Sequence, residues 1–408
     1  MNKRHTVGFA LTLGAGLLLL AASSSAQSKM SSPPWGPDGG PKIVFGEEDK
    51  GVLQIDYKAQ FRMTARDLGS GADNEDTTTS FGFRRNRVAL RGAWGEKFTV
   101  YVQTEFAGES NIGPIDVTSS NSGADFQLLD AVMRFDLHPA FKINVGKFKY
   151  NLSRENLEAC EDPLTLDRSL FIRAPYVGTR DNGVAIWGNL FNDRFQYRAD
   201  AMEGRPAASG RATPASNFRY SFRGHVSLLD PENGYGYKGT YLGEKKVFTI
   251  GGAYQMESKV TYTDAVTLIQ PRDYTGWTVD AFFEYPMASF GTVTVSGAYE
   301  KVDLDGAYQG ATPDSGSLGL NGEKNGWYGK AGYLIKDSNL QFFGRYDKWR
   351  FASLNGTIDE IVDWYGGGLN YYVWGQSLKL SAEFSHTKFD KGSHKDFNTF
   401  VTQIQLVF

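Results

Sequence analysis

FNTFVTQIQLVF, residues 397–408, ends the sequence. Phe400, Thr402, Ile404, Leu406 and Phe408 alternate with Val401, Gln403, Gln405 and Val407. A period of two belongs to a β-strand with one greasier and one wetter face. Chain ends usually fray in water. The last strand of a closed transmembrane barrel cannot, because it must pair with the first and leave no edge in lipid. Two readings follow: the final strand of a soluble sandwich, or the closing strand of a membrane barrel. The rest of the sequence decides between them.

The other end argues for export. Lys3, Arg4 and His5 form a basic start, Val7 to Ala22 is apolar, and Ser24 and Ala26 fit a small-residue cleavage pattern. An apolar run of this length suits a signal-peptide core and is short for a membrane helix. Residues 1–26 are thus expected to be a signal peptide, cut after Ala26. The absence of a cysteine just after the apolar run argues against a lipid anchor. Residues 27–50, with SSPPWGPDGGP, are expected to be a periplasmic arm too polar and proline-broken for a strand. Beyond them no long apolar segment remains, and mean hydropathy is negative, which excludes a helical membrane protein but not a barrel, whose alternating strands average out. Aromatic residues make up 14% of the chain and 21 of them are tyrosines, a composition that suits a membrane–water interface. The formal net charge of -3 predicts no nucleic-acid partner. The single Cys160 rules out a disulfide framework and a c-type haem, which needs C-x-x-C-H.

From Gly51 the sequence becomes a rhythm. Leu53, Ile55, Tyr57, Ala59, Phe61 and Met63 share one face of a first strand, and Gln54, Asp56, Lys58, Gln60 and Arg62 the other. Short turns near 95–96, 138–140, 192–193, 286–289, 336–339 and 374–376 alternate with long polar loops near 67–80, 107–125, 205–216, 258–273, 304–322, 352–360 and 390–395. The pattern predicts an all-β, up-and-down antiparallel transmembrane barrel of about sixteen strands over residues 51–408. One connection, 230–244 (DPENGYGYKGTYLGE), is too long for the tight turn due there. A short helix is expected within 155–171. Gly366-Gly367-Gly368 falls inside a strand and marks a bend or close packing rather than a phosphate loop.

Each strand offers one face to lipid and one to the lumen. Arg85, Arg87 and Arg91 share the polar face of the second strand, Arg219, Arg223 and His225 that of the eighth, and Arg62, Arg134 and Arg198 fall on polar faces elsewhere. Rings of Arg or Lys are how anion pores select. Asp56, Asp130, Asp136 and Asp200 share these faces, and Asp280, Glu284 and Glu300 follow later. An anion track along one wall and a mutually paired charge lattice both fit. The longest loop, 150–180, is long enough to fold into the lumen and constrict it, or to stand outside as an ordinary loop. It carries Arg154, Arg168, Arg173 and Arg180 among six acids. Catalysis finds no support: the four histidines beyond the signal peptide are scattered, and Ser385 and His386, as strand neighbours, face opposite ways. No ligand spacing suggests a metal or other cofactor.

Phe83-Arg84-Arg85-Asn86-Arg87-Val88 resembles the basic strand motif of the phosphate-selective porin O and P family. Gly146-Lys147-Phe148-Lys149, leading to Arg154-Glu155, is similar to that family's entry into its third loop, and Gly178-Thr179-Arg180-Asp181-Asn182-Gly183-Val184 to its return. The terminal phenylalanine resembles the aromatic ending of bacterial outer-membrane barrels. The resemblance implies a sixteen-stranded, trimeric porin of the bacterial outer membrane, with the third loop folded inward and an arginine ladder aided by lysines conducting anions. It adds Lys147 and Lys149 to the pore-lining set. Two functions are then expected to compete: passive diffusion of small anions, phosphate or other oxyanions, and a barrel sheath housing a partner such as a periplasmic protein or a multihaem cytochrome.

Overall fold

The computed structural model describes residues 39–70, 76–106, 126–169, 174–205, 214, 217–264, 267–307, 322–351, 359–391 and 395–408. The expected signal peptide, the first half of the arm and Arg173 lie outside these residues. The described strands are β1 (Lys42–Phe45), β2 (Gly51–Ser70), β3 (Asp76–Trp94), β4 (Phe98–Glu105), β5 (Gln127–His138), β6 (Phe141–Phe148), β7 (Asp181–Leu190), β8 (Phe195–Met202) and β9 (Arg219–Ser227). They continue as β10 (Val247–Asp264), β11 (Ile269–Met287), β12 (Gly291–Asp303), β13 (Lys324–Ile335), β14 (Leu340–Phe351), β15 (Glu360–Trp374), β16 (Leu378–Phe389) and β17 (Phe397–Val407). A single-turn helix, α1, covers Arg154–Leu157.

Strands β2 to β17 each pair antiparallel with the next, and β17 pairs back on β2 from Thr399↔Arg66 to Val407↔Lys58. The result is a closed, sixteen-stranded, antiparallel barrel. Tyr57 and Phe408 exchange backbone hydrogen bonds of 2.7 and 3.0 Å at the seam, so the closing role of 397–408 is a matter of register. The arm departs from expectation. Lys42–Phe45 (KIVF) is a strand, paired with β2 from Lys42↔Gln54 to Phe45↔Gly51, and Ile55 N donates to Pro41 O at 3.1 Å. It continues the line of β17 along an edge of β2 that the terminus leaves bare, and Ile43-Val44 is β-branched chain suited to that slot. The loops at 67–80 and 258–273 are also shorter than their polarity suggests. β2 and β3 run on to Ser70 and from Asp76, and β10 and β11 to Asp264 and from Ile269. Polar residues beyond the apolar band still pair as hairpins, with bulges at Arg66/Ser70 and Glu257/Thr261, so hydrophobic alternation fades before the ladder does.

The faces sort as a membrane barrel requires. On β17, Thr399, Gln403 and Gln405 are buried in the interior, while Ile404 is exposed outside. Trp327, Tyr346, Tyr365 and His386 form a chain of ring contacts across β13–β16, with centroids 5.2, 6.0 and 5.3 Å apart, on the outer face. Such a band suits the membrane–water interface. Gly366 and Gly368 are close-packing glycines: a Cβ on either would run into the carbonyl of Phe384 or Ala382 on β16.

Phe384, 49% exposed in the middle of β16, tests the lipid-facing assignment. Phe384→Arg is expected to lower the unfolding free energy in a bilayer by about 2–4 kcal/mol, read by denaturant titration in lipid vesicles. A neutral result would mean that this face does not meet hydrocarbon.

Candidate functional site

Two segments enter the barrel from opposite ends. From the long-loop end comes 149–169. Ser153 caps α1 by accepting from Asn156 N (3.1 Å), and Asp200 of β8 receives Asn151 through backbone and side chain (2.9 and 2.8 Å). The chain then crosses to the far wall. Asn370 of β15 donates to Leu164 O (2.9 Å), Gln405 of β17 to Glu161 O (2.8 Å) and Arg345 of β14 to Asp167 O (2.7 Å). Leu164 lies against Gly332 of β13, where an added Cβ would meet its Cδ1 at 2.5 Å. From the short-turn end comes 230–244, the connection whose length broke the sequence pattern. Glu284 of β11 anchors it, accepting from Thr240 Oγ1 (2.9 Å), Tyr241 N (3.0 Å) and Gly243 N (2.9 Å).

The two segments join inside. Ala159 N donates to Tyr237 O (2.8 Å) and Gly239 N to Asp162 O (2.9 Å). Gly239 is required there, since a Cβ would lie 2.7 Å from Leu164 N. Arg154 makes a bidentate pair with Glu232 (2.8 and 2.7 Å) and is stacked over Tyr237 and Phe282, 4.5 and 4.1 Å from their ring centres. Both charges are about 1% exposed.

The inward arginines form a ladder that is largely ion-paired. Arg62 holds Asp167 through both terminal nitrogens (2.8 and 3.2 Å). Arg87 pairs with Glu105, Arg91 with Asp56 (3.4 Å), Arg219 with Glu257 (2.6 Å) and Arg223 with Asp280 (2.7 Å). Arg180 meets Asp130 (3.1 Å). Burial alone would raise the Asp167 and Glu161 carboxyls. Arg62 and Arg84 outweigh it at Asp167, and Lys58 at Glu161, holding each at about 2. Arg198 donates to Gln196 Oε1 (2.7 Å) and lies over the Tyr235 and Tyr237 rings without an ion pair among the described residues, and Arg85, Arg134 and Arg168 also stand outside this pairing. Arg85 hydrogen-bonds Gln60, Arg134 lies over the Tyr101 ring (5.8 Å), and Arg168 donates to Glu158 O (2.5 Å) and Cys160 Sγ (3.3 Å). Lys149 Nζ donates to Glu158 O (2.6 Å).

Lys147 does not join them. In β6 the interior side chains are Asn144 and Phe148, so Lys147 faces outward, its Nζ on Leu128 O (3.0 Å). The motif suggested the pair Lys147/Lys149, but strand alternation gives them the same side, and only Lys149, past the end of β6, turns inward with the loop. Sequence reasoning missed other groups. A bulge in β3, where Gln60↔Arg85 is followed by Phe61↔Phe83, lets Arg84 reach Asp167 (3.5 Å). Lys330 meets Glu155 and Arg345 meets Asp347 (2.9 Å), so the later strands are not simply acidic.

A closed, lipid-facing β-barrel whose charged lumen is narrowed by its own segments defines an outer-membrane channel. The sequence matches phosphate-selective porin O and P over residues 55–408, and the chain belongs to that family. Its fold is similar to an anion-selective porin from Comamonas acidovorans (TM-score 0.59, 10% identity, 88% of this chain and 100% of that one). It is also similar to Salmonella typhi OmpF in a complex with daunomycin (0.59, 13%, 90% and 100%) and to the outer membrane channel DcaP of Acinetobacter baumannii (0.55, 14%, 90% and 100%). No curated protein matches the sequence. The chain is a porin of the bacterial outer membrane.

Breaking the Arg154–Glu232 pair from one side leaves a buried charge uncompensated. Glu232→Gln or Arg154→Met alone is expected to cost about 3–5 kcal/mol, while the double variant recovers most of it. Denaturant unfolding of the four proteins checks this; a loss in the double variant equal to the sum of the two single losses would mean that the pair does not couple the two segments.

Proposed function

We propose that this porin is a passive diffusion channel for small anions, phosphate and other oxyanions among them. The observation that carries the reading is the group Arg85, Arg134 and Arg168, which no carboxylate of the described residues pairs, set against a lumen where most other arginines are ion-paired. A guanidinium without a carboxylate partner is open to a passing anion, and at this range salt screens little. The family description and the anion-selective neighbour agree in direction. Dense acids in the loop, Glu158, Glu161 and Asp162 among them, favour a general anion preference over a phosphate-only site. The lumen is already occupied by 149–169 and 230–244, which supports a channel over a sheath for a partner protein.

The subunit contact belongs on the β4–β9 side in a homotrimer. β4, β6 and β8 have eight residues each, against eighteen and nineteen in β10 and β11. A tilted strand needs about 9–11 residues to cross the hydrocarbon, so the short-stranded wall fits protein neighbours better than lipid. Native mass measurement in mild detergent is expected to give three chains; a monomer would remove this part of the reading.

Planar-bilayer reversal potentials under a salt gradient test the selectivity. The wild-type channel is expected to favour anions, and Arg85→Ser with Arg87→Ser to reduce that preference; unchanged potentials would defeat the proposal. Burial, with the Glu155 carboxylate beside it, raises Glu158 to about 7. It is neutral below that pH and adds a negative charge above it. Anion preference should therefore fall as pH rises through neutrality, with a shallower fall in Glu158→Gln.

A further inference from the structure

Cys160 is the chain's single cysteine, and the inward loop holds it against the basic face of β3. Gln60 of β2 fixes its backbone by donating to Cys160 O (3.1 Å), and Arg168 Nη2 donates to its sulfur (3.3 Å). Arg85, Arg87 and Lys149 are the other cations acting on that sulfur. The acids nearby are committed elsewhere: Glu105 to Arg87 and Glu161 to Lys58 (2.5 Å). Glu158, next to Glu155, stays half-protonated near neutrality. The residue is 7% exposed.

Arg85 is an independent observation on the same spot. It is 6% exposed, its described hydrogen bond is to the neutral Gln60, and its buried Nε has no partner. A buried guanidinium without a counter-charge is costly, and Gln60, which accepts from Arg85 and donates to the Cys160 carbonyl, sets the two residues side by side. Burial alone would raise the thiol. Arg168, Arg85, Lys149 and Arg87 outweigh it and hold the thiol well below its ordinary range. Burial, with Arg168 alongside, pulls the Lys149 ammonium down, so the lasting positive charge here is carried by the arginines. Thiolate, not thiol, is the nucleophile, and basic neighbours are what create it.

We propose that Cys160 is a covalent modification site at the constriction, its sulfur presented by Arg85 and Arg168 as a nucleophile toward hydroperoxides. The sulfur electron pair attacks one peroxide oxygen, an S–O bond forms and the O–O bond breaks. Sulfur is oxidised to the sulfenic acid and peroxide is reduced: Cys–S⁻ + HOOH → Cys–SOH + HO⁻. The departing hydroxide leaves beside the two guanidinium groups. The inference rests on the channel reading only in that reagents reach the sulfur through the lumen; it does not depend on which ions the channel prefers.

The test is the alkylation rate of Cys160 by iodoacetamide in the intact, folded chain, followed by mass spectrometry. An ordinary thiol slows on the order of 100-fold from about pH 8.5 to about pH 6. Cys160 is expected to slow by no more than about 3-fold over that interval, with the steep dependence returning in Arg168→Gln. Hydrogen peroxide at the lower pH should give a sulfenic acid that dimedone traps on Cys160. An ordinary pH dependence would overturn the proposal, as would a native chain that stays unmodified while the unfolded chain reacts. Gel mobility before and after heating shows whether Arg168→Gln is folded. Reversal potentials of the unmodified protein report separately on anion selectivity, so failure of one reading is distinguishable from failure of the other.

Discussion

A backbone amide in hydrocarbon has no water to turn to, so a sheet that crosses a membrane must leave no edge. That constraint is met here by the β17–β2 seam and by β1, which fills the stretch of β2 beyond Phe408. Once the ring is closed, alternation does the rest. Every second side chain faces lipid and must be apolar or aromatic, and its neighbours face a space that can hold charge. The arginines of β3, β8 and β9 are inward because Val88, Ala199 and Phe222 must be outward. Their functional placement is therefore a consequence of solving the lipid problem.

Filling the interior creates the opposite problem, since a charge withdrawn from water costs several kcal/mol unless it is paired and hydrogen-bonded. The two inward segments answer it together. Arg62, Arg154 and Lys330 each find a carboxylate supplied by, or meeting, a segment that folds inward. The loop 149–169 is held by charge and backbone contacts to both walls, with Leu164 and Leu166 as its apolar footholds. It is pinned from below by 230–244 through Arg154–Glu232, so the constriction is a joint between two connections rather than one loop lying across a pore.

Much of this was legible. The period of two, the alternation of short and long connections and the terminal strand point to a sixteen-stranded ring, and the odd length of 230–244 is visible, though not that this segment folds inward. What failed to show has identifiable causes. The bulge that lets Arg84 reach Asp167 shifts β3 by one residue, and no hydrophobic pattern records such a shift where the neighbours are Phe83 and Arg85. Lys147 was assigned from a motif, whereas its side is dictated by Asn144 and Phe148 in the same strand. Lys330 finds Glu155 far away in sequence, and Arg345, beside Asp347 on its own strand, also reaches Asp167 O of the loop, contacts that no local pattern records. The strand at 42–45 is only four residues long, and its existence depends on a vacancy created by the other end of the chain.

The sequence left open whether the arginines were a conducting track or a paired lattice, and the structure divides them between the two. Pairing prevails wherever a carboxylate can be brought within reach, as on β9 with Asp280 of β11 or on β2 with Asp167 of the loop. It fails at Arg134 and Arg198, which lie over tyrosine rings instead, and where β3 meets residues 158–168. There Arg62 and Lys58 have already drawn Asp167 and Glu161 away, and what remains for Arg85 and Arg168 is an amide, a carbonyl and a sulfur. The acids that hold the loop in place are the ones withdrawn from neutralising that patch. The anchoring of the constriction and its excess of positive charge thus have a common origin, and strengthening the first by more carboxylates would weaken the second.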